Sequence, residues 1–245
     1  MLSTIWLIIV GILVGTFVIS LGGGGAAIYL GILSSAFHLS PAVAAATSIV
    51  TALPSIIIGT IGYIRQGKVN FKIGNQMLIA ALPAVIVGSL IAPHIPTNLY
   101  KWIIAIILIG LGLQIFFKHE NKRQTKPNRL AASFYGVISG LMVGVAGLSG
   151  GGPVLAGLLL LGLDTFKATA TSTYVLVGMS ILGAAFHLTT GNVYWQAGIP
   201  LIIGTVIGAI LAPFVVKFLS RDGHGGHLNY VIAILLIFMG IKSLF

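Results

Sequence analysis

Leu148-Ser149-Gly150-Gly151-Gly152-Pro153 in the second half of the chain and Leu21-Gly22-Gly23-Gly24-Gly25 in the first each interrupt a hydrophobic stretch. A run of adjacent glycines breaks a helix, because each costs ~1 kcal/mol against alanine in a helix interior and takes positive φ freely. At membrane depth such irregular backbone persists only where protein or a water-filled cavity satisfies its N–H and C=O groups. Both breaks are therefore expected to face a site and not lipid. A paired interruption in the two halves of a chain is the pattern of a transporter's substrate site.

The surrounding composition supplies the membrane. Apolar residues make up 57% of the 245 and charged residues 7%, with a mean hydropathy of +1.10; soluble domains carry about 25% charge. The uncharged runs Pro41 to Ile64, Ile73 to Ala92, Trp102 to Phe117 and Ala197 to Val216 approach or exceed the ~20 residues that cross a bilayer as helix. Thirteen Lys and Arg against three acids give a net charge of +10, but the bases lie in short loops between apolar runs, where they set orientation. Nucleic acid is not implied. With no Cys, disulfide frameworks, thiolate nucleophiles and Cys-ligated metals are excluded together. Met1 to Val10 has no Lys or Arg to form the charged region of a cleavable signal peptide, so the first apolar segment is expected to stay.

The chain aligns with itself at an offset near 124: Thr47-Ser48 with Thr171-Ser172, Gly59 with Gly183, and Gly67-Lys68-Val69-Asn70-Phe71 with Gly191-Asn192-Val193-Tyr194-Trp195. A repeat of that length suits a duplicated helical bundle. The expected organisation is a first membrane repeat at 1–117, a basic cytoplasmic linker at 118–130 and a second membrane repeat at 131–245. Each half reads as a segment before its glycine break (4–20; 131–147), a short one after it (26–38; 153–163) and three longer spans (42–64, 73–93, 98–117; 166–188, 196–218, 228–244). An 11-residue segment gives ~16 Å of helix against a ~30 Å hydrocarbon core, and does not cross alone.

Loop charges then orient the halves. Arg65, Lys68 and Lys72, and the linker's Lys118, Lys122, Arg123, Lys126 and Arg129, mark cytoplasmic loops, whereas His94 to Asn98 is nearly uncharged. In the second half Leu188 to Gln196 is uncharged and Lys217 and Arg221 follow the next span. Equivalent loops face opposite sides, so the repeats are expected to be inverted. Inversion needs an odd number of crossings per half: three, with a re-entrant hairpin at each break, or five. The fold class is thus an all-α polytopic membrane protein of two inverted repeats, each a glycine-broken pair of short helices plus three long transmembrane helices.

A helix that starts after a glycine break presents unpaired N–H groups and about half a positive charge, a ready place for an anion. The candidate binding residues are Gly22, Gly23, Gly24, Gly25, Ser149, Gly150, Gly151 and Gly152. Pro153 fits a first helical turn whereas the matched Ala26 keeps its N–H, which makes the two faces unequal. The paired hydroxyls Thr47, Ser48, Thr171 and Ser172 recur in register and offer uncharged donors; Thr169 and Thr173 read as hydroxyls that bond their own helix. The isolated Gly59, Gly88, Gly112, Gly183 and Gly208 read as close helix packing. His38, His187 and Asp164 are candidates for proton coupling, although Asp164, like Ser40, stands first as an N-cap. His224 and His227 make too poor a ligand set for a metal site. Trp6, Tyr63, Tyr100, Trp102, Tyr194 and Trp195 fall near span ends as interface residues.

Together the doubled glycine motif, the doubled Ala-x-x-Thr-Ser element at Ala44 to Ser48 and Ala168 to Ser172, and the Gly-Lys-Val-Asn loop at Gly67 to Asn70 resemble the sulfite exporter TauE/SafE family, over nearly the whole chain. Two departures stand out. Ala46 and Ala170 replace a usual glycine, and Ala26 a usual proline. The resemblance implies export of sulfite or a small organosulfonate such as sulfoacetate. The expected partners are that small anion and the lipid bilayer of the cell membrane, with a homodimer as a candidate assembly. No Walker loop, cofactor motif or catalytic constellation is present: no H-E-x-x-H or acid pair occurs, and Ser149 makes a poor nucleophile. A secondary transporter is therefore expected and not an enzyme, with a passive anion channel or a carrier for a carboxylate or sulfate-type anion as the alternatives.

Overall fold

In a computed structural model, the residues described are 2–20, 25–116, 129–147, 150–190 and 193–222, with Ile234, Ile237, Phe238 and Ile241 beyond them. Within these the chain is helical throughout: α1 (Leu2–Ser20), α2 (Ala26–Ser35), α3 (Pro41–Arg65), α4 (Phe71–Ile91) with a 3-10 turn at Ala92–His94, α5 (Thr97–Phe116), α6 (Arg129–Ala146), α7 (Gly151–Leu160), α8 (Thr165–Thr190) and α9 (Trp195–Asp222). Among the described residues four stretches are long and apolar enough to cross a membrane: Pro41–Arg65, Phe71–Ile91, Phe166–Thr189 and Trp195–Ala212. Residues 118–128 of the expected linker, and the expected span 228–244 apart from the four single positions, lie outside the described residues.

The centre of the bundle is α3 and α8, packed antiparallel. Ile49, two turns into α3, reaches the Gly183 backbone near the end of α8, while Tyr63 at the far end of α3 and Lys68 just beyond it enclose Phe166 at the start of α8. Around this pair, α9 lies on α3 and α4 on α8; α1 packs along α9 and α6 along α4; α2 covers α3 and α7 covers α8. The outer pairs cross between the sequence halves, so α1 of the first lies on α9 of the second and α6 of the second on α4 of the first. Every one of these pairings has its counterpart when the halves are exchanged.

Glycine makes the outer pairs possible. A Cβ at Gly11 or Gly15 of α1 would stand 2.8 Å from the carbonyl oxygen of Leu201 or Thr205, and one at Gly208 2.5 Å from that of Ile12. On the other pair, Gly136, Gly140 and Gly144 of α6 press on the backbone of Met77, Ala81 and Val85. These four-residue spacings are the small-x-x-x-small contact of membrane helices, in which backbones approach because no side chain intervenes. Gly59 (against Ile19), Gly88 (against Val145), Gly183 and Gly208 are likewise packing positions, as the sequence reading expects; the surroundings of Gly112 lie outside those described.

Both short helices have 10 residues, about 15 Å at 1.5 Å per residue. The end of α1 lies beside the end of α3, since Tyr63 Oη donates to the Ile19 carbonyl at 3.0 Å. Between Ile19 and Pro41 the chain must therefore return along the length of α3, and α2 with residues 36–40 makes that return. Tyr63 is consequently buried (7% exposed) and not an interface residue as its sequence position suggests, whereas Trp6, Trp102 and Trp195 are well exposed.

Gly11→Leu is expected to destabilise the protein by about 1–3 kcal/mol through overpacking, read as a lower melting temperature in detergent. Gly62→Ala, whose new methyl meets open space, is expected to leave the melt unchanged or raise it.

Candidate functional site

The two breaks are built alike from their described residues. Gly25 (φ 73°) immediately precedes α2 and Gly150 (φ 60°) immediately precedes α7, in the left-handed region that glycine occupies without a Cβ penalty. The first backbone bonds inside each helix then match: Tyr29 N–H donates to Gly25 O at 3.1 Å and Val154 N–H to Gly150 O at 3.4 Å. Gly25 thus corresponds to Gly150, and Ala26 to Gly151.

This register changes the meaning of Pro153, which aligns with Ile28 and not with Ala26. Ile28 turns its N–H inward to Gly25 O at 2.9 Å, so the N–H that Pro153 lacks is one that the first break spends internally. Ala26 and Ala27 on α2, and Gly151 and Gly152 on α7, carry the N–H groups ahead of the first intrahelical bonds. The inequality expected at Ala26 and Pro153 is removed; each helix start has two backbone N–H groups without an acceptor among the described residues. Ala26 is fully buried and Ala27 9% exposed, so these donors point into protein and not bulk solvent. Gly22, Gly23, Gly24 and Ser149 lie outside the described residues.

Gly147 (φ 63°) closes α6, its N–H bonding Val143 O at 3.0 Å, as a left-handed C-cap does. A Cβ there would stand 2.5 Å from Ala45 O. Ser48 Oγ donates to Ala45 O at 2.9 Å and stands 3.3 Å from Gly147 O, where the end of α6 meets α3. Gly150 folds back beside α6, where its Cβ would meet Ser139 O at 2.9 Å.

The hydroxyl pairs do a different job from the one expected of them. Thr47 Oγ1 donates to Val43 O at 2.7 Å and accepts from Tyr194 N–H at 2.9 Å; Thr171 Oγ1 accepts from Asn70 N–H at 2.9 Å. Each threonine thus latches the loop that follows the other central helix. Thr47 has spent its one proton on Val43, and Ser48 its own on Ala45, so neither is a free donor to an anion here. From the Ile49–Gly183 contact, Thr171 lies 12 residues back along α8 and Thr47 two back along antiparallel α3, which separates them by ~20 Å along the bundle. They do not share one cage. Ser172 is buried and hydrogen-bonded or in polar contact, and Thr173 bonds Thr169 O in its own helix at 2.9 Å.

The three proton-coupling candidates separate. His38 is exposed at a positive-φ turn (φ 50°). Asp164 is 58% exposed and caps α8, accepting Lys167 N–H at 3.0 Å, with an ion pair to Lys167 at 3.4 Å; that backbone bond holds its carboxyl below the usual range. Ser40, by contrast, occupies the N-cap of α3 without a side-chain cap bond. His187 is buried (4% exposed), stands against the backbone of Val143 and Gly144 just before the second break, and its Nε2 has no partner among the described residues. A cleft of about 260 Å³ lined by Ile19, Tyr63, Arg65 and Gln66 contains none of the expected site residues.

Long apolar helices, cross-paired by glycine and interrupted twice by short helices that start at a left-handed glycine, define a polytopic α-helical membrane protein. A family model for the sulfite exporter TauE/SafE matches residues 7–243, and the chain belongs to that family. It is 22% identical to the probable membrane transporter protein YunE of Bacillus subtilis over 100% of this chain and 98% of that one. It is 28% identical to the probable membrane transporter protein YfcA of Escherichia coli K12, over 79% and 73%. A more distant likeness, 24% over 63% of the chain and 60% of the relative, is to a protein named undecaprenyl-diphosphatase from Enterococcus faecalis. The family and the transporter names point to a membrane transport role and away from catalysis.

Thr47→Val keeps the side-chain shape but leaves the Tyr194 N–H without its acceptor, and is expected to cost about 1–3 kcal/mol; Thr171→Val should cost the same through Asn70, and Thr173→Val clearly less. Thermal melts of the three variants in detergent check the order. Because the folded pKa of Asp164 is lowered, its contribution is present above the ordinary carboxylate pKa and is lost as pH falls through the folded value. Asp164→Ala should cost about 1 kcal/mol at neutral pH and melt with a shallower acid limb than wild type.

Proposed function

We propose that the chain is a secondary transporter that exports a small sulfur-containing oxyanion, sulfite or an organosulfonate such as sulfoacetate, across the cell membrane by alternating access. The anion is held at the starts of α2 and α7 by the backbone of Gly22 to Ala27 and of Ser149 to Gly152. The observation that carries this reading is the matched pair of helix starts, each preceded by a positive-φ glycine and each with two N–H groups that have no acceptor among the described residues. Helix N-termini favour anions through those donors and the helix dipole.

The return of the chain between Ile19 and Pro41 supports five traverses per half. An odd number inverts the second half relative to the first, in agreement with the loop charges at Arg65, Lys68 and Lys72 against those at Lys217 and Arg221. Alternating access then moves the glycine-packed pairs α1–α9 and α4–α6 against the central α3–α8 pair. Thr47 and Thr171 act as latches between loop and core, and His187 is the candidate for a proton step beside the second break.

Reconstituted protein should give sulfite flux in proteoliposomes that saturates and shows counterflow; flux linear in sulfite without counterflow would indicate the passive anion channel, and no flux of any sulfur oxyanion would refute the assignment. Gly150→Ala forces a Cβ into a left-handed position at a cost of about 1–2 kcal/mol and displaces the start of α7. It is expected to lower flux at least tenfold in protein that still elutes as a folded species.

A further inference from the structure

At the first break the Tyr29 ring lies directly on the helix start. Its Cε2 is 3.0 Å and its Oη 3.5 Å from the place a Cβ on Gly25 would take. Tyr29 is 1% exposed, yet its hydroxyl has no hydrogen-bond partner among the described residues. A buried, unpaired hydroxyl costs free energy of the order of a lost hydrogen bond, and phenylalanine would fill the same space without it. The side chain points back toward the N-terminus of α2, as helical side chains do, which carries the phenol beside Gly25, the residue that precedes the helix start.

The second break has a hydroxyl too, but from another element. Ser139 of α6 is fully buried with its Oγ unpartnered among the described residues, and its Cβ is 3.2 Å from the Cβ place on Gly150. Four residues after Gly150, where Tyr29 follows Gly25, stands Val154, fully buried and without a polar atom. Two starts with equal backbone donors therefore differ in the hydroxyl beside them.

Resting on the anion-transport reading above, we infer that the Tyr29 hydroxyl is a specificity-determining donor to the transported anion at the first break, with Ser139 in the corresponding role at the second. The ligand class this selects has at least two acceptor oxygens on one centre, so that a backbone N–H and the phenol O–H engage different oxygens. Sulfite, sulfonates and carboxylates qualify; a halide offers a single centre and gains little from the second donor. The two breaks then hold the same anion with different strengths, which gives the binding site a built-in direction.

The test is ligand-induced thermal stabilisation of purified full-length wild type and Tyr29→Phe, titrated with sulfite, sulfoacetate, acetate and chloride. Tyr29→Phe should melt at or above the wild-type temperature without ligand, and need about ten- to hundredfold more sulfite for the same stabilisation, with chloride dependence unchanged. Ser139→Ala should weaken sulfite in the same sense. A Tyr29→Phe protein that responds to sulfite as wild type does overturns the role of Tyr29 while leaving anion transport standing. One that melts well below wild type with unchanged sulfite dependence assigns the hydroxyl to structure, and also overturns it. A wild type stabilised by none of the oxyanions sinks the transport reading and this inference together.

Discussion

A backbone N–H or C=O without a partner inside a bilayer costs several kcal/mol, and everything unusual in this chain is arranged around two places where that cost arises. Where the helical path breaks, neighbouring elements pack against the backbone on either side of the break. Val143 O of α6 itself takes the Gly147 N–H, Ser48 of α3 stands against Gly147 O, and Gly150 packs against Ser139. Among the described residues the starts of α2 and α7 keep N–H groups ahead of their first intrahelical bonds. Such donors would be a defect in a structural protein; in the transport function proposed above they are the place for the cargo.

The cross-pairing of the halves follows from the same need. Broken helices have few hydrogen bonds of their own to hold them in place, so their neighbours must be rigid. Glycine contacts between α1 and α9, and between α6 and α4, let backbones touch and leave little freedom at those seams. Thr47 and Thr171 add a fixed point at each end of the central pair by taking the last N–H of the opposite loop. The core is thus stiff where the breaks are irregular.

Much of this was legible from residue type. The glycine runs, the long apolar spans and the Asp164 cap require only local physics, and the doubled Thr-Ser elements announced that they mattered. Their role was not legible, because a hydroxyl's single proton goes to whatever acceptor the fold brings near, and the loop N–H groups of Asn70 and Tyr194 are distant in sequence. Tyr63 looked like an interface aromatic until the end of α1 supplied an acceptor for its hydroxyl. The proline comparison failed by two positions, since the left-handed glycine that sets the register is chosen by backbone torsion and not by matching the runs letter for letter. Two signals were present and unread: the four-residue glycine spacings of Gly11, Gly136 and Gly204, which specify helix pairing, and the aromatic four residues after Gly25, which a helix returns to its own start.

The central claim is that the helix starts after Gly25 and Gly150 hold the anion. It is tested most directly by an anomalous difference map from crystals soaked in selenite, the heavier analogue of sulfite. The account predicts a selenium peak within hydrogen-bonding reach of the Ala26 and Ala27 or the Gly151 and Gly152 amides. A peak confined to the basic loops, with neither helix start occupied, would contradict it.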